Sequence, residues 1–205
     1  GNNVVPLPTK SRRGRNAASA LNVQLVTARL RLDGLRVDDA PALFAYRADP
    51  MVARFQGWQP ASVAEAGEFI RRQAGASLEV PGRWLQRAIR LRDSGELIGD
   101  LGIHWPAEAN GSVEFGISVA PARQRQGYAR EALHALFTML FDRLGRHRIH
   151  ASVDPRNLAS MAMLRSLGMR QEAHHRESLW LGEQWVDDVI FAILDHEWQA
   201  QSRVG

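Results

Sequence analysis

Two kinds of hydrophobic pattern occur along the chain, and together they predict its secondary structure. Apolar residues at every second position are typical of strands with one buried face, and apolar residues three or four positions apart are typical of amphipathic helices. The segments with the first pattern, predicted as strands, are 23–35, 83–93, 96–106, 112–120, 147–153 and the two halves of 177–194. The segments with the second pattern, predicted as helices, begin near Asp38 or Asp39, at Ser62, after Gly127 and at Asn157.

Cap and turn residues set the ends of several segments. Pro41 suits the first turn of a helix, and Pro50 is predicted to end that helix, because the residue before a proline avoids helical geometry. Ser62 and Glu65 have the spacing of a capping box. The polar turn at 93–95 is predicted to join two strands of a hairpin.

The order of the elements predicts a fold class. Short links between the three strands within 83–120 imply an antiparallel meander. The helix between strands 112–120 and 147–153 makes a crossover, so these two strands are predicted to be parallel. We therefore expect one α/β (α+β) domain over residues 23–200, with a mixed, mostly antiparallel, twisted sheet of seven strands flanked by about four helices.

The net charge of +4 comes from the first 22 residues. This segment is predicted to be a flexible basic leader, since it is rich in Asn, Pro, Ser, Gly and Arg, with four basic residues and no acidic one. The rest of the chain has 22 basic residues against 22 acidic ones. A neutral domain with a short basic arm argues against nucleic acid as a partner, and binding through the arm is a minor alternative.

Composition excludes several other classes. No apolar run reaches the roughly 20 residues that span a bilayer, so no membrane association is expected. The absence of cysteine excludes disulfides, thiolate metal sites and cysteine nucleophiles, and it fits a cytoplasmic protein. The seven histidines lack the spacing of metal ligands, so no metal is expected.

The segment "VAPARQRQGYAREAL" (119–133) places a polar, cationic loop between a strand and a helix. Unpaired N–H groups and the helix dipole favour an anion at such a helix start. Gly127 allows a close approach of the backbone to a ligand, Ala129 is small, and Arg123 and Arg125 add positive charge. From this loop alone, a phosphate cradle and a simple connecting turn are equally good interpretations.

The segments "SVEFGISV", "PARQRQGYAREAL" and "NLASMAMLRSLGM" together resemble the GNAT superfamily of N-acetyltransferases. The further segments "LRVDDAPALFAYRADPMVARFQGW" and "GEQWVDDVIFAIL" resemble, more narrowly, the Rim-type alanine N-acetyltransferases of ribosomal proteins. The resemblance covers roughly residues 25–195, with its parts in the family's order.

This resemblance implies a site for acetyl-CoA. The loop that binds the pyrophosphate would consist of Gln124, Arg125, Gln126, Gly127, Tyr128 and Ala129. The strand ahead of it would splay from its parallel neighbour and pair with the pantetheine arm through Ile117, Ser118 and Val119. Asn157 matches the asparagine that contacts CoA at the start of the next helix. The family commonly has glycine at the position of Arg125, which puts the shape of the loop in question.

Acetyl transfer needs a neutral amine, a stabilised oxyanion and a proton for the leaving thiolate. Glu114 is the predicted base, directly or through water, and the alternative is a strand glutamate paired with an arginine. A backbone N–H near Val119 is expected to stabilise the oxyanion. The helix after Asn157 lacks the tyrosine that many family members use as an acid. Ser160 is predicted to protonate or hydrogen-bond the CoA sulfur instead. The alternative is a serine that satisfies N–H groups of the helix.

The acceptor site is predicted less specifically. Trp58, in the segment 53–60 that borders the acceptor in similar proteins, and Asp187 are the candidates, with core packing and a turn role as their alternatives. The predicted reaction is transfer of acetyl from acetyl-CoA to a primary amine, chiefly a protein N-terminal α-amine. A small amine of polyamine or aminoglycoside type and a non-catalytic acyl-CoA-binding regulator are the alternatives. The oligomeric state stays open, a homodimer included.

Overall fold

The computed structural model describes residues 24–74, 81–108 and 110–204, so the predicted leader over residues 1–22 lies outside the described residues. The strands are β1 (Leu25–Val26), β2 (Leu30–Gly34), β3 (Trp84–Leu91), β4 (Leu97–His104), β5 (Val113–Val119), β6 (Arg148–Val153), β7 (Arg170–Leu181) and β8 (Gln184–Leu194). The helices are α1 (Ala40–Arg47), α2 (Pro50–Ala53), α3 (Val63–Gln73), α4 (Tyr128–Thr138), α5 (Leu158–Ser166) and α6 (Asp195–Ser202).

All eight described strands form one sheet in the order β1-β2-β3-β4-β5-β6-β8-β7. Strands β5 and β6 are parallel, and the other neighbouring pairs are antiparallel. The fold class, the meander β3-β4-β5 and the crossover through α4 are therefore confirmed. Among the described residues, no helix is long and apolar enough to cross a membrane.

The sheet has one strand more than the pattern predicts, because the segment 23–35 folds back on itself. Leu25 pairs with Leu32, and the chain reverses between β1 and β2. Thr27 closes this turn: its N–H donates to the Leu30 carbonyl at 2.9 Å, and its hydroxyl accepts from the Leu30 N–H at 3.0 Å. A side chain that closes a turn locally is invisible to a periodicity argument.

The predicted end of the first helix before Pro50 is confirmed, because α1 ends at Arg47 and Asp49 has extended backbone. Pro50 then opens the short helix α2, which the Asp49 side chain caps by accepting from the Met51 N–H at 2.9 Å. The predicted boundaries of the last elements are wrong. Strand β7 begins at Arg170 rather than near residue 177, and helix α6 has no predicted counterpart. Most side chains of β7 are exposed, so this strand carries no hydrophobic alternation.

Helices cover both faces of the sheet. On one face, α4 contributes Leu133, Leu136 and Phe137 to the main core, where Phe137 lies edge-on to Phe115 of β5. On the other face, α1 and α3 pack over Ala88 in a smaller core that includes Leu43 and Ile70. The smaller core covers only part of its face, and the site described below lies on the uncovered part.

The parallel pair β5–β6 separates soon after it begins. Val113 pairs with Ile149 and Glu114 pairs with His150, and the described pairing stops there. Strand β5 nevertheless stays paired with β4 as far as Val119, opposite Gly99. The predicted splay is thus confirmed, and it opens a gap along the second half of β5.

Candidate active site

The edge of β5 at this gap presents backbone hydrogen-bonding groups. The Ala120 N–H donates to the Ile98 carbonyl on β4 at 2.7 Å. Because backbone groups of a strand point alternately to its two sides, Ile117 and Val119 direct their N–H and C=O groups into the gap. The Val119 carbonyl accepts a hydrogen bond from the Gln124 side chain at 2.9 Å. The remaining groups are placed to pair with an amide-bearing ligand arm.

The loop that follows β5 has two residues with left-handed backbone. Gly127 has φ +80°, which suits glycine, and Arg125 has φ +62°, which costs an ordinary residue roughly 1–2 kcal/mol. The loop therefore keeps a shape that glycine would adopt more easily at both positions. At Arg125 the backbone thus adopts the left-handed conformation typical of glycine, despite the larger side chain.

Arg29, from the turn between β1 and β2, holds this loop in place. Its guanidinium donates to the Gln126 carbonyl at 2.9 Å, lies 4.2 Å from the centre of the Tyr128 ring and pairs with Glu131 at 2.8 Å. In a planar trans peptide the N–H points opposite to the C=O, so the Gly127 N–H points away from Arg29. It is thereby directed outwards at the start of α4, where an anion would bind.

The two glutamines of the loop use their side chains to shape it. Gln124 bonds to the Val119 carbonyl, and Gln126 donates to the Ala122 carbonyl at 3.0 Å. Residues 124–127 are exposed, and the half-buried Tyr128 and Ala129 begin the helix. Any contact of this loop with an anion therefore relies on backbone N–H groups and on the Arg125 side chain.

Glu114 lies where the strands begin to separate, between two histidines on the adjacent strands. Its cross-strand partners are His104 on β4 and His150 on β6. Its side chain is 28% exposed, and its Oε2 lies 3.8 Å from His150 Nε2. Among the described residues, no arginine forms an ion pair with Glu114, and its role as a base remains a prediction.

A strip of small residues connects Glu114 with the gap. Gly116 on β5 is exposed, and a Cβ atom there would meet nothing within 4 Å. Gly102, opposite it on β4, is buried, with the Gln86 and Trp84 side chains close over it. Ser118 follows on the same face, where it is buried and its hydroxyl has no hydrogen-bond partner among the described residues. We call the surface over Gly116 and Glu114 the acceptor strip.

A buried polar cluster closes the inner end of the acceptor strip. Asp100, which is 1% exposed, accepts hydrogen bonds from Tyr46, from Arg47 Nε at 3.1 Å and from Gln86. Burial, followed by the charge of Asp100, raises the pKa of Tyr46 well above its ordinary value, so the phenol stays protonated and donates. Because Tyr46 and Arg47 belong to α1, the cluster ties this helix to the sheet.

Asn157 and Ser160 lie at the start of α5. The Asn157 side chain caps the helix by accepting from the Ser160 N–H at 3.1 Å. The half-buried Ser160 hydroxyl forms no hydrogen bond with another described residue. The helix N–H is thus satisfied by Asn157, which leaves the serine hydroxyl available to a ligand.

The two predicted acceptor residues make structural contacts. Trp58 is half-buried, stacks on Phe69 with ring centres 4.6 Å apart and belongs to the smaller core. The Asp187 carboxylate accepts from the Glu177 N–H and from His174 Nε2, both at 2.8 Å, and these hydrogen bonds lower the pKa of Asp187. Their roles in acceptor binding remain predictions.

Spacing along the chain did not reveal the histidines beside Glu114. His104, Glu114 and His150 come from three strands, and only the register of the sheet brings them side by side. A polar residue at each of these positions, within otherwise apolar strands, is the one signal in the sequence. Within the described part of the chain, no group of three or more His, Cys, Asp or Glu side chains could hold a metal ion.

Comparison with known proteins agrees with this geometry. Residues 29–170 match the family described as "Acetyltransferase (GNAT) domain". The N-acetyltransferase p20 of Bacillus licheniformis is 30% identical over 175 residues, which cover 85% of this chain and 97% of p20. The N-acetyltransferase YoaA of Bacillus subtilis is 31% identical, covering 83% of this chain and 96% of its own.

Solved structures show the same fold. RimJ of Mycobacterium smegmatis, solved with CoA-disulfide, is 26% identical with a TM-score of 0.70, covering 85% of this chain and 90% of its own. The ribosomal-protein-S5-alanine acetyltransferase of Vibrio fischeri is 18% identical with a TM-score of 0.72, covering 86% and 98% respectively. At that lower identity the likeness concerns the fold alone.

Proposed function

The chain belongs to the GNAT family of N-acetyltransferases, and on this premise we propose that it acetylates the α-amine at the N-terminus of a protein. The family's acetyl donor is acetyl-CoA. The observation that carries the proposal is the acceptor strip, which runs from the exposed side of Glu114 over Gly116 to the gap beside β5. It gives an extended chain end access to the gap in which the thioester would lie.

We assign the binding of acetyl-CoA to backbone groups. Outward N–H groups of the loop 124–129 would bind the pyrophosphate, and Ile117 would pair with the pantetheine amides as an added strand does. This places the thioester carbonyl near the Val119 N–H, which stabilises the oxygen as negative charge develops on it. Asn157 would contact CoA from the opposite side of the gap.

The reaction then needs two proton transfers. The bound ammonium transfers one proton to Glu114, directly or through water, and the neutral amine then attacks the thioester carbon. The C–N bond forms and the C–S bond breaks as the intermediate collapses. During this collapse the Ser160 hydroxyl donates its proton to the leaving thiolate and takes up the second proton of the attacking nitrogen, which restores the serine. The products are the acetylated amine, CoA as a thiol and one released proton.

The charge along the acceptor strip favours a single ammonium group. Among the side chains of β4 and β5 on this face, Glu114 is the accessible carboxylate, and Asp100 is buried in its cluster. A polyamine or an aminoglycoside carries several ammonium groups and would be expected to meet several carboxylates.

A thiol-release assay over a panel of amines tests the proposal. We expect release of CoA thiol with peptides that have a free N-terminal alanine or serine. The matched control is the same peptide with its N-terminus blocked and one lysine, which offers only an ε-amine. Faster turnover of spermidine or of an aminoglycoside would overturn the assigned acceptor. Binding of CoA without turnover of any amine would support the regulatory alternative instead.

Opposite substitutions at the two left-handed positions test the loop. Arg125→Gly should change stability by less than about 1 kcal/mol, because relief of strain offsets the entropy of glycine. Gly127→Ala should cost about 1–2 kcal/mol, since it introduces that strain. Its Cβ would also lie 3.3 Å from Arg29 Nη2, so we expect about tenfold weaker CoA binding.

Urea unfolding and titration calorimetry with CoA measure both effects of these two variants. Equal losses of CoA affinity in Arg125→Gly and Gly127→Ala would contradict the assigned geometry. Arg125→Gly removes one side chain and Gly127→Ala adds one methyl group, both at exposed positions of the same loop. Each variant therefore serves as the control for the other.

A further inference from the structure

His150 and Glu114 direct their side chains towards one point on the acceptor strip. His150 Nε2 lies 3.8 Å from Glu114 Oε2, and the two side chains are 25% and 28% exposed. This distance is too long for a hydrogen bond between them. It leaves room for one nitrogen atom at hydrogen-bond distance from both, so an acceptor amine could bridge the pair.

Ser112 lies against the other ring nitrogen of His150. Its hydroxyl oxygen lies 2.6 Å from His150 Nδ1 and 3.5 Å from the Arg148 carbonyl. A hydroxyl has one hydrogen to donate, and a carbonyl can only accept. In the tautomer with its hydrogen on Nδ1, the ring donates to the Ser112 oxygen, and the lone pair lies on Nε2, on the side of Glu114.

The surroundings keep His150 neutral at neutral pH. Burial lowers its pKa below the ordinary value, and the charges of Arg148 and His104 act in the same direction. Glu114 and Glu172 act in the opposite direction without reversing the shift. A neutral imidazole is the form that can accept a proton.

The proton affinity of an imidazole is also closer to that of the acceptor amine than the proton affinity of a carboxylate is. The ordinary pKa values are about 8 for an α-amine, about 4.3 for glutamate and about 6.5 for histidine. Transfer of an ammonium proton to an isolated carboxylate is in general more unfavourable than transfer to an imidazole. A carboxylate beside the imidazole would in turn stabilise the cation that forms.

We propose that His150 shares the role of proton acceptor with Glu114, an inference that rests on the proposed function. The ammonium binds between Glu114 Oε2 and His150 Nε2. Its N–H bond breaks, the electron pair stays on the amine nitrogen, and the proton binds Nε2. The imidazolium keeps its Nδ1–H bond to Ser112 and is stabilised by the charge of Glu114. The proton then passes to solvent from the exposed edge of the ring.

Replacement of His150 by Gln tests this assignment. We expect kcat/KM for an N-terminal peptide to fall about tenfold at pH 7, with the KM for acetyl-CoA unchanged. The acidic limb of the pH profile should move to lower pH, because the group that must be neutral is gone. Ser112→Ala should move the limb in the same direction by less, because it removes the acceptor of the Nδ1–H bond that stabilises the imidazolium.

The control is His134→Gln on α4, a histidine that lies against the Trp198 ring with centres 5.1 Å apart. It should leave the profile as in the parent protein. A His150→Gln profile that coincides with that of the parent would overturn the shared role. Loss of activity without movement of the limb would also overturn it, because a purely structural defect lowers the rate at every pH.

A second readout does not depend on activity. In an NMR titration of the imidazole signals, Glu114→Gln should lower the pKa of His150, since the carboxylate charge raises it. An unchanged His150 titration in that variant would refute the coupling. If the titration moves while the parent protein acetylates no peptide, the pair is supported, and it is the proposed acceptor that fails.

Discussion

Glu114→Gln is expected to lower kcat/KM for an N-terminal peptide by about 10²–10⁴-fold at pH 7, because a positioned base contributes about that much. The amide has nearly the shape of the carboxylate but neither attracts an ammonium nor accepts its proton. The Kd for acetyl-CoA should stay within about twofold of the parent value. The groups assigned to CoA are backbone atoms of β5 and of the loop, which this substitution leaves in place.

The pH dependence of this defect identifies its cause. Above about pH 8 a growing fraction of the α-amine is already neutral, so the need for a base declines. The ratio of parent to variant kcat/KM should therefore shrink as the pH rises. A constant ratio across the range would contradict the assignment of Glu114 as proton acceptor. Glu68→Gln, on the exposed face of α3, is the matched control and should change neither parameter.

Arg47→Met is expected to lower the free energy of unfolding by about 3–5 kcal/mol, because it leaves a buried charge without its partner. Asp100 is 1% exposed, and Arg47 donates to both of its oxygens. In the variant only the Tyr46 and Gln86 side chains still donate to this carboxylate. Their neutral dipoles cannot balance a full charge that is removed from water.

Denaturation by urea, followed by circular dichroism, measures this loss. The control is Arg71→Met, which breaks the exposed ion pair with Glu68 and should cost less than about 0.5 kcal/mol. A loss below about 1 kcal/mol in Arg47→Met would show that the cluster is not what ties α1 to the sheet. In Arg47→Met the acetyltransferase activity should fall together with the stability, since the cluster closes the inner end of the acceptor strip.

The local pattern predicted the elements best where burial alternates along the chain. Strands β3, β4, β5 and β6 and the helix after Gly127 were found within a few residues of their ends. The pattern failed for β7, whose side chains are mostly exposed, and for the turn at Thr27, which depends on one hydroxyl. Both failures have one cause: hydrophobic periodicity reports burial, and these segments bury little.

The residues of the candidate site also divide into those that the sequence indicates and those that only the sheet register brings together. Glycine and small residues at the start of a helix have a local physical meaning, which made a phosphate cradle and a connecting turn equally good interpretations of the loop. The resemblance assigned residues 124–129 to CoA, and this assignment stays a prediction. Glu114 was found through the resemblance, but its neighbour His150 was not. The two lie 36 residues apart in the sequence and meet only through the parallel register of β5 and β6.

The sequence by itself determined the strands and helices that bury one face and the position of the polar loop before α4, because these depend on interactions within a few residues. The order of these elements along the chain then indicated the class of fold and the crossover between parallel strands. Only the tertiary structure decided which polar side chains face each other: Glu114 beside His150, Asp100 under Arg47, and Arg29 against the loop at Gln126. The physical reason is that strand pairing is non-local, and its register determines which side chains meet across a sheet.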